Sequence, residues 1–197
     1  MAEPKMLFQI RIELLGVDPP IWRRIEVPGE YNFWDLHVAI QDAMGWQDCH
    51  LHHFRLVGST LVIGIPDKDG GDTLDTRAGW EHRIIDYFNY LSPLALYEYD
   101  FGDSWLHEVR LEDVRPRPRR GEYPRCIGGA RRCPPEDCGG PHGYLELLRV
   151  MASPGDPEHS SALEYLGGEF DPERFEPAEV RFDDPVARWR VAFAEEE

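Results

Sequence analysis

Apolar residues first alternate and then recur at helical spacing. Phe8, Ile10, Ile12 and Leu14 interleave with Gln9, Arg11 and Glu13, the period-two pattern of a half-buried strand. Residues 16–20 form a turn. Residues 21–27 resume an extended pattern, with Ile21, Ile25 and Val27 on one side and Trp22, Arg24 and Glu26 on the other. The spacing then changes, and Phe33, Leu36, His37, Ile40, Ala43 and Met44 form one helical stripe. Asn32 suits the N-cap, Asp35 the first turn and Gly45 the C-terminal stop. Residues 51–57 predict a third strand that places His50, His52, Phe54 and Leu56 on a common face. Two strands, a helix and a return strand are the opening of a β-grasp arrangement.

Residues 66–79 are acidic and glycine-rich and predict an exposed loop. Asp67-x-Asp69 begins like a calcium loop, but the later glycine and distal glutamate are missing from their required positions. Ile84, Ile85 and Phe88 suggest a short amphipathic helix. Residues 95–99 and 105–114 predict a hairpin turning at Asp100, Gly102 and Asp103, with Trp105, His107, Val109 and Leu111 sharing a face. Residues 115–143, rich in Gly, Pro, Arg and Cys, suit irregular backbone. Residues 144–151 read as helix, and 161–166 and 177–180 as shorter ones. The expected fold class is α+β: a β-grasp-like mixed sheet with one main covering helix, a β-hairpin and a small helical C-terminal part. A single domain is expected over 6–181, divided into a sheet-and-helix core (6–114), an Arg/Cys-rich loop (115–143) and a helical part (144–181). An acidic tail, 182–197, follows.

Charge narrows the partners. The 197 residues carry 37 acids against 21 bases, a formal net charge of −16, and only Lys5 and Lys68 among those bases are not arginine. Such a field repels phosphate backbones, which disfavours nonspecific nucleic-acid binding by the whole surface. One segment runs against it: residues 115–132 hold seven arginines and a single acid, Glu122. Candidate nucleic-acid contacts there are Arg117, Arg119, Arg120, Arg131 and Arg132. From residue 153 onward 13 acids face 4 arginines. The strand pattern follows MAEPKM directly, with no apolar leader block, and no apolar run reaches the roughly 18 residues of a membrane span. A cytoplasmic protein with no membrane partner is expected, and there clustered thiols favour metal over disulfide.

Two constellations carry candidate chemistry. Cys126, Cys133 and Cys138, spaced C-x6-C-x4-C, suit a structural zinc, with His107 the first choice of fourth ligand ahead of His142 and His52. The plain alternative is three reduced cysteines packed as small hydrophobes. An alternative polar site combines His50, His52, Asp100 and Asp103, with Glu98 and His107 beside them, as carboxylate and imidazole ligands of a hydrolytic metal. Against it, Asp100 and Asp103 are ordinary turn formers, and the two histidines share a face with Phe54 and Leu56. His52-His53-Phe54-Arg55 satisfies H-x-x-R, but about one such match is expected by chance, so no recombinase reading follows. The six tryptophans suit core and rim.

PPIWRR (19–24), DLHVAIQDAMGW (35–46), HLHHFR (50–55), YEYDFGDSWLHEV (97–109) and PRCIGGARRCPPEDCGGPHGY (124–144) occur in an order that resembles one family. That family is the plasmid pRiA ORF-three-like proteins, also labelled transposon passenger proteins of TnpR type. The resemblance implies a compact α+β domain linked to plasmids and mobile elements, and it brings no catalytic residues. Where the family commonly has serine before HLH this chain has Cys49, which is therefore incidental. The expected role is a non-catalytic binding or accessory module with an unidentified protein or peptide partner. A metal-dependent hydrolase is the alternative.

Overall fold

The structure, a computed structural model, describes residues 5–66 and 75–193; the Asp67-x-Asp69 stretch and the last acidic residues lie outside them. Eight strands form one mixed sheet: β1 (Met6–Leu14), β2 (Ile21–Pro28), β3 (His52–Leu56), β4 (Val62–Gly64), β5 (Thr76–Ala78), β6 (Leu94–Tyr99), β7 (Trp105–Pro116) and β8 (Arg125–Ala130). Their order is β5-β4-β3-β6-β7-β1-β2-β8, antiparallel except for the β4–β5 pair at one edge. The expected α+β class is therefore what the chain forms.

Register puts the apolar alternation of each central strand on one face. Ile12 lies opposite Val109, Leu14 opposite His107, Tyr97 opposite His107, and Phe54 opposite Tyr97. A register shift between Gln9 and Ile10 leaves Phe8 opposite Val114 and Ile10 opposite Leu111. The other face stays wet, as antiparallel sheets allow. There Arg24 meets Glu112 at 2.8 Å through Nη2, and Arg11 and Arg24 flank the Trp22 ring at 4.8 and 5.1 Å.

Helix α1 (Phe33–Met44) covers the apolar face. Asn32 Oδ1 accepts from the Asp35 amide, Asp35 accepts from the Asn32 amide, and Gly45 closes the helix in the left-handed region. Asn32→Ala is expected to cost about 1 kcal/mol of unfolding free energy in urea melts, the usual worth of a cap; no loss would mean the tertiary contacts alone define the helix start.

The sequence stripe predicts one buried side for α1, but Trp34, Val38, Ala39 and Gln41 are buried as well. Gln41 turns to the sheet, where its Nε2 donates to Tyr97 Oη at 2.9 Å, and Ala39 joins the core, whereas Trp34 lies under a second cover. Helix α4 (Pro185–Ala192), in the stretch expected to be tail, lies across the outer side of α1. Trp34 Nε1 donates to Pro185 O at 2.9 Å, Trp34 packs on Phe193 at 5.4 Å, and Arg188 reaches Asp42 at 2.7 Å and Asp48 at 3.6 Å. Helices α2 (Gly140–Met151) and α3 (His159–Tyr165) pack together beside the hairpin turn.

Segment 115–143 departs from expectation too. It contains β8, which pairs with β2 through Ile25↔Cys126 and Arg23↔Gly129.

Candidate metal centre

His50 stands just ahead of β3, Asp100 in the β6–β7 turn, and Asp137 in the loop between β8 and α2. These three form the only set of at least three His, Cys, Asp or Glu ligand atoms, among the described residues, lying within 4.8 Å of one another. His50 Nε2 is 3.1 Å from Asp137 Oδ1, 3.7 Å from Asp100 Oδ2 and 3.9 Å from Glu136 Oε2.

Local structure fixes each group. Asp100 is buried; its amide donates to Leu51 O, and its Oδ1 accepts from the Gly102 amide at 2.9 Å and the Asp103 amide at 3.3 Å. That Asx turn leaves Oδ2 toward His50. Asp100 and Asp137 both adopt left-handed backbone, with φ of 56° and 54°, which short acidic side chains tolerate. Glu136 Oε1 accepts from the Gln47 amide at 2.7 Å and from Tyr99 Oη at 3.2 Å, and burial raises its pKa. Tyr99 Oη in turn accepts from the Cys49 amide, so the residue before His50 is tied to the same carboxylate. Asp103 takes a different part: its Oδ2 accepts from the Gly139 amide at 3.1 Å, docking the 136–139 loop on the hairpin turn.

His50 Nε2 is buried yet makes no hydrogen bond, although it lies within ion-pair distance of three carboxylates. The contacts are near enough for charge attraction but lack hydrogen-bond direction. Around a cation bound at about 2.1 Å, tetrahedral ligand atoms stand roughly 3.4 Å apart. The measured separations bracket that value.

The histidines expected beside His50 go elsewhere. His52 is buried and stacks on His37, with ring centroids 3.4 Å apart and an interplanar angle of 7°. His37 bridges Tyr97 Oη at 2.9 Å and Asp48 Oδ1 at 2.8 Å. Burial, then the neighbouring His37 and His53, hold His52 well below the ordinary histidine pKa. Glu98 engages His53, Arg55 and Ser104. Of the predicted polar set, His50 and Asp100 come together, while His52 and Asp103 serve as packing and docking groups.

The cysteines of the predicted zinc site and His107 do not form such a ligand set in this structure. Each is drawn into a different environment. Cys126 sits on β8 with its thiol toward Gly128 O at 3.5 Å, Cys133 enters the core, and Cys138 precedes α2. Burial pushes both the Cys133 and Cys138 thiols up to about 12, and all four cysteines are free. His107 is fully buried; its Nδ1 contacts Tyr97 O at 3.3 Å, and burial lowers its pKa to about 4.

Two of the five arginines expected to meet nucleic acid are ion-paired. Arg117 pairs with Glu30 at 2.6 Å, Arg131 is buried against Glu173 at 2.8 Å, and Arg132 lies over the Phe170 ring. Arg119 and Arg120 stay exposed.

Sequence reasoning missed Asp137 and Glu136. The signal available was a pair of acids inside an otherwise basic, cysteine-bearing segment.

A solved structure shares this architecture. A protein of unknown function, MM3350 from Methanosarcina mazei Go1, has a crystal structure that superposes with a TM-score of 0.83 at 40% identity, over 90% of this chain and 99% of that one. The uncharacterized protein y4hQ of Sinorhizobium fredii is 34% identical over 190 residues, covering 92% of this chain and 93% of the relative. The family model of plasmid pRiA4b ORF-3-like proteins matches residues 6–179. Bearing that match along most of its length, the chain belongs to the plasmid pRiA4b ORF-3-like family.

Proposed function

We propose that the protein is a cation-binding accessory module of plasmid-associated elements, which holds one divalent metal ion on His50, Asp100 and Asp137 with Glu136 as the fourth donor. The observation that carries this reading is the His50 Nε2 atom, buried and without a hydrogen bond among three carboxylates. One imidazole and several carboxylates form a borderline-to-hard donor set suited to zinc or manganese. The Gln47 amide and Tyr99 hydroxyl on Glu136 orient a ligand in the way outer partners do in metal sites. The four free thiols fit the reducing cytoplasm expected for such a module.

Titration calorimetry with zinc and with manganese, on protein first stripped with EDTA, tests this. One equivalent is expected to bind, and Asp137→Asn and His50→Ala are each expected to weaken binding by more than about 30-fold, since either removes a first ligand. If those variants bind as the parent does while Cys133→Ser with Cys138→Ser does not, the ion belongs to the cysteines instead. Less than a tenth of an equivalent in every case would end the reading. His50 is only half-buried, which leaves a flank for bound water and favours the metal-dependent hydrolase as a second reading. Metal-stimulated cleavage of a chromogenic phosphoester, lost in His50→Ala, would establish it.

A further inference from the structure

Arg23 is 1% exposed and has no carboxylate partner among the described residues. Its Nε donates to Ala43 O at 2.8 Å, and its Nη1 donates to Trp22 O and Ala130 O, each at 2.9 Å. Phe175 lies against the guanidinium, 3.7 Å from its centre. Gly129 makes that seat possible, because a Cβ there would stand 2.3 Å from Phe175 Cε1. Nη2 makes no hydrogen bond, and Arg23 lines a cavity of about 390 Å³ between the C-terminal end of α1 and residues 174–181.

The cavity walls repeat the imbalance. Arg132 and Arg181 line it and are exposed, and neither has a carboxylate partner among the described residues; Arg181 donates only to Ala178 O and Val180 O. The acids there are mostly engaged: Glu179 with Arg174 at 3.0 Å, and Asp42 with Arg188 at 2.7 Å. Only Glu176 lacks an arginine, and it caps the short turn at residues 177–179. Three uncompensated guanidinium groups against one carboxylate is an unusual excess in a chain of net charge −16. Cys133 and Cys126, which act electrostatically on Arg23, offer no countercharge, since burial keeps both thiols neutral. A buried cation without a partner is costly, so an anion completing this site is the physically economical arrangement.

We infer that this cavity binds a small molecule bearing an oxyanion, a phosphate or carboxylate group, held by the free edge of Arg23 with Arg132 and Arg181. The stacked, in-plane fork of Arg23 is already ordered, and the two outer arginines close on the anion from the rim. The volume is that of a small-ligand site, and the negative field of the whole chain disfavours a polyanion.

Calorimetry with inorganic phosphate and, separately, with succinate, at low salt and with EDTA present, distinguishes the two anion sources and keeps metal-bridged binding out. Saturable binding of at least one anion is expected. Arg132→Gln and Arg181→Gln, both exposed and so benign to folding, are each expected to weaken it about tenfold. Arg110→Gln, on the wet face of the sheet, is expected to change nothing. Absence of binding by both anions at about 20 mM, or wild-type affinity in both cavity variants, would overturn the inference. So would a single-stranded oligonucleotide that binds through Arg132 and Arg181 where phosphate and succinate do not.

Discussion

Gly140→Ala is expected to lower the unfolding free energy by about 3 kcal/mol and to weaken divalent-metal binding at least tenfold. Gly140 has φ of +67°, where an alanine carries roughly 1 kcal/mol of strain. Its new Cβ would also stand 2.4 Å from Asp103 O, so the hairpin turn or the start of α2 must move, an overpacking cost of about 1–3 kcal/mol. Movement there has a functional reading because the contact is the hinge pin of the candidate metal centre. Asp103 Oδ2 accepts from the Gly139 amide, Asp100 sits three residues before Asp103, and Asp137 sits three before Gly140. Displacing one side against the other separates Asp100 from Asp137. Urea denaturation and metal titration measure the two effects on one sample. A stability loss under about 0.5 kcal/mol with unchanged metal affinity would show that the loop and the turn are not coupled.

That coupling also explains which parts of the molecule could be read from sequence. Strands β1, β2, β6 and β7 and helix α1 each carry enough side chains of one periodicity to declare themselves, and their apolar faces are the ones that pack. Strand β8 does not, because Gly128 and Gly129 supply no pattern. For Gly129 the reason is tertiary: a side chain there would collide with Trp22 O and with Phe175, 46 positions further along the chain. Helix α4 stayed hidden behind its charge. The acids around it read as a solvated tail, whereas Arg188 gathers Asp42, Asp48 and Asp183 into one network and Trp34 meets Phe193 beneath it. Half of the candidate site was legible for the same kind of reason. His50 and Asp100 belong to a strand start and a turn with local rules, but Asp137 and Glu136 reach them only when the 131–139 loop folds back over Trp46, whose Nε1 donates to Pro134 O. The cysteine spacing suggested convergence, yet strand pairing, core burial and the approach to α2 each claim one thiol.

His107→Leu is expected to flatten the acid limb of the stability profile by about 3 kcal/mol between pH 7 and pH 4. His107 is fully buried; burial lowers its pKa from 6.5 to about 4, partly opposed by backbone contacts with Tyr97 and Trp105. With Nδ1 on the Tyr97 carbonyl, the neutral ring carries its proton there, and Nε2 faces the interior without a partner. The folded imidazole is thus neutral at pH 6, where the unfolded one begins to protonate. Because the unfolded state binds more protons, its contribution to stability is complete above about pH 6.5 and falls as pH drops toward 4. At about 1.4 kcal/mol per pH unit, the interval accounts for the predicted 3 kcal/mol. His52, lowered for the same reason of burial, acts in the same direction, whereas Asp35, Asp42 and Glu136, raised by burial, are relieved by acid and act against it. The wild-type curve is therefore a sum, and the difference between wild type and His107→Leu isolates the one group. Leucine restores apolar packing beside Trp46 and removes the orphaned nitrogen, so stability at pH 7 is expected to change little. Urea midpoints at half-unit steps of pH give both curves, and parallel curves would show that His107 keeps an ordinary proton affinity in the fold.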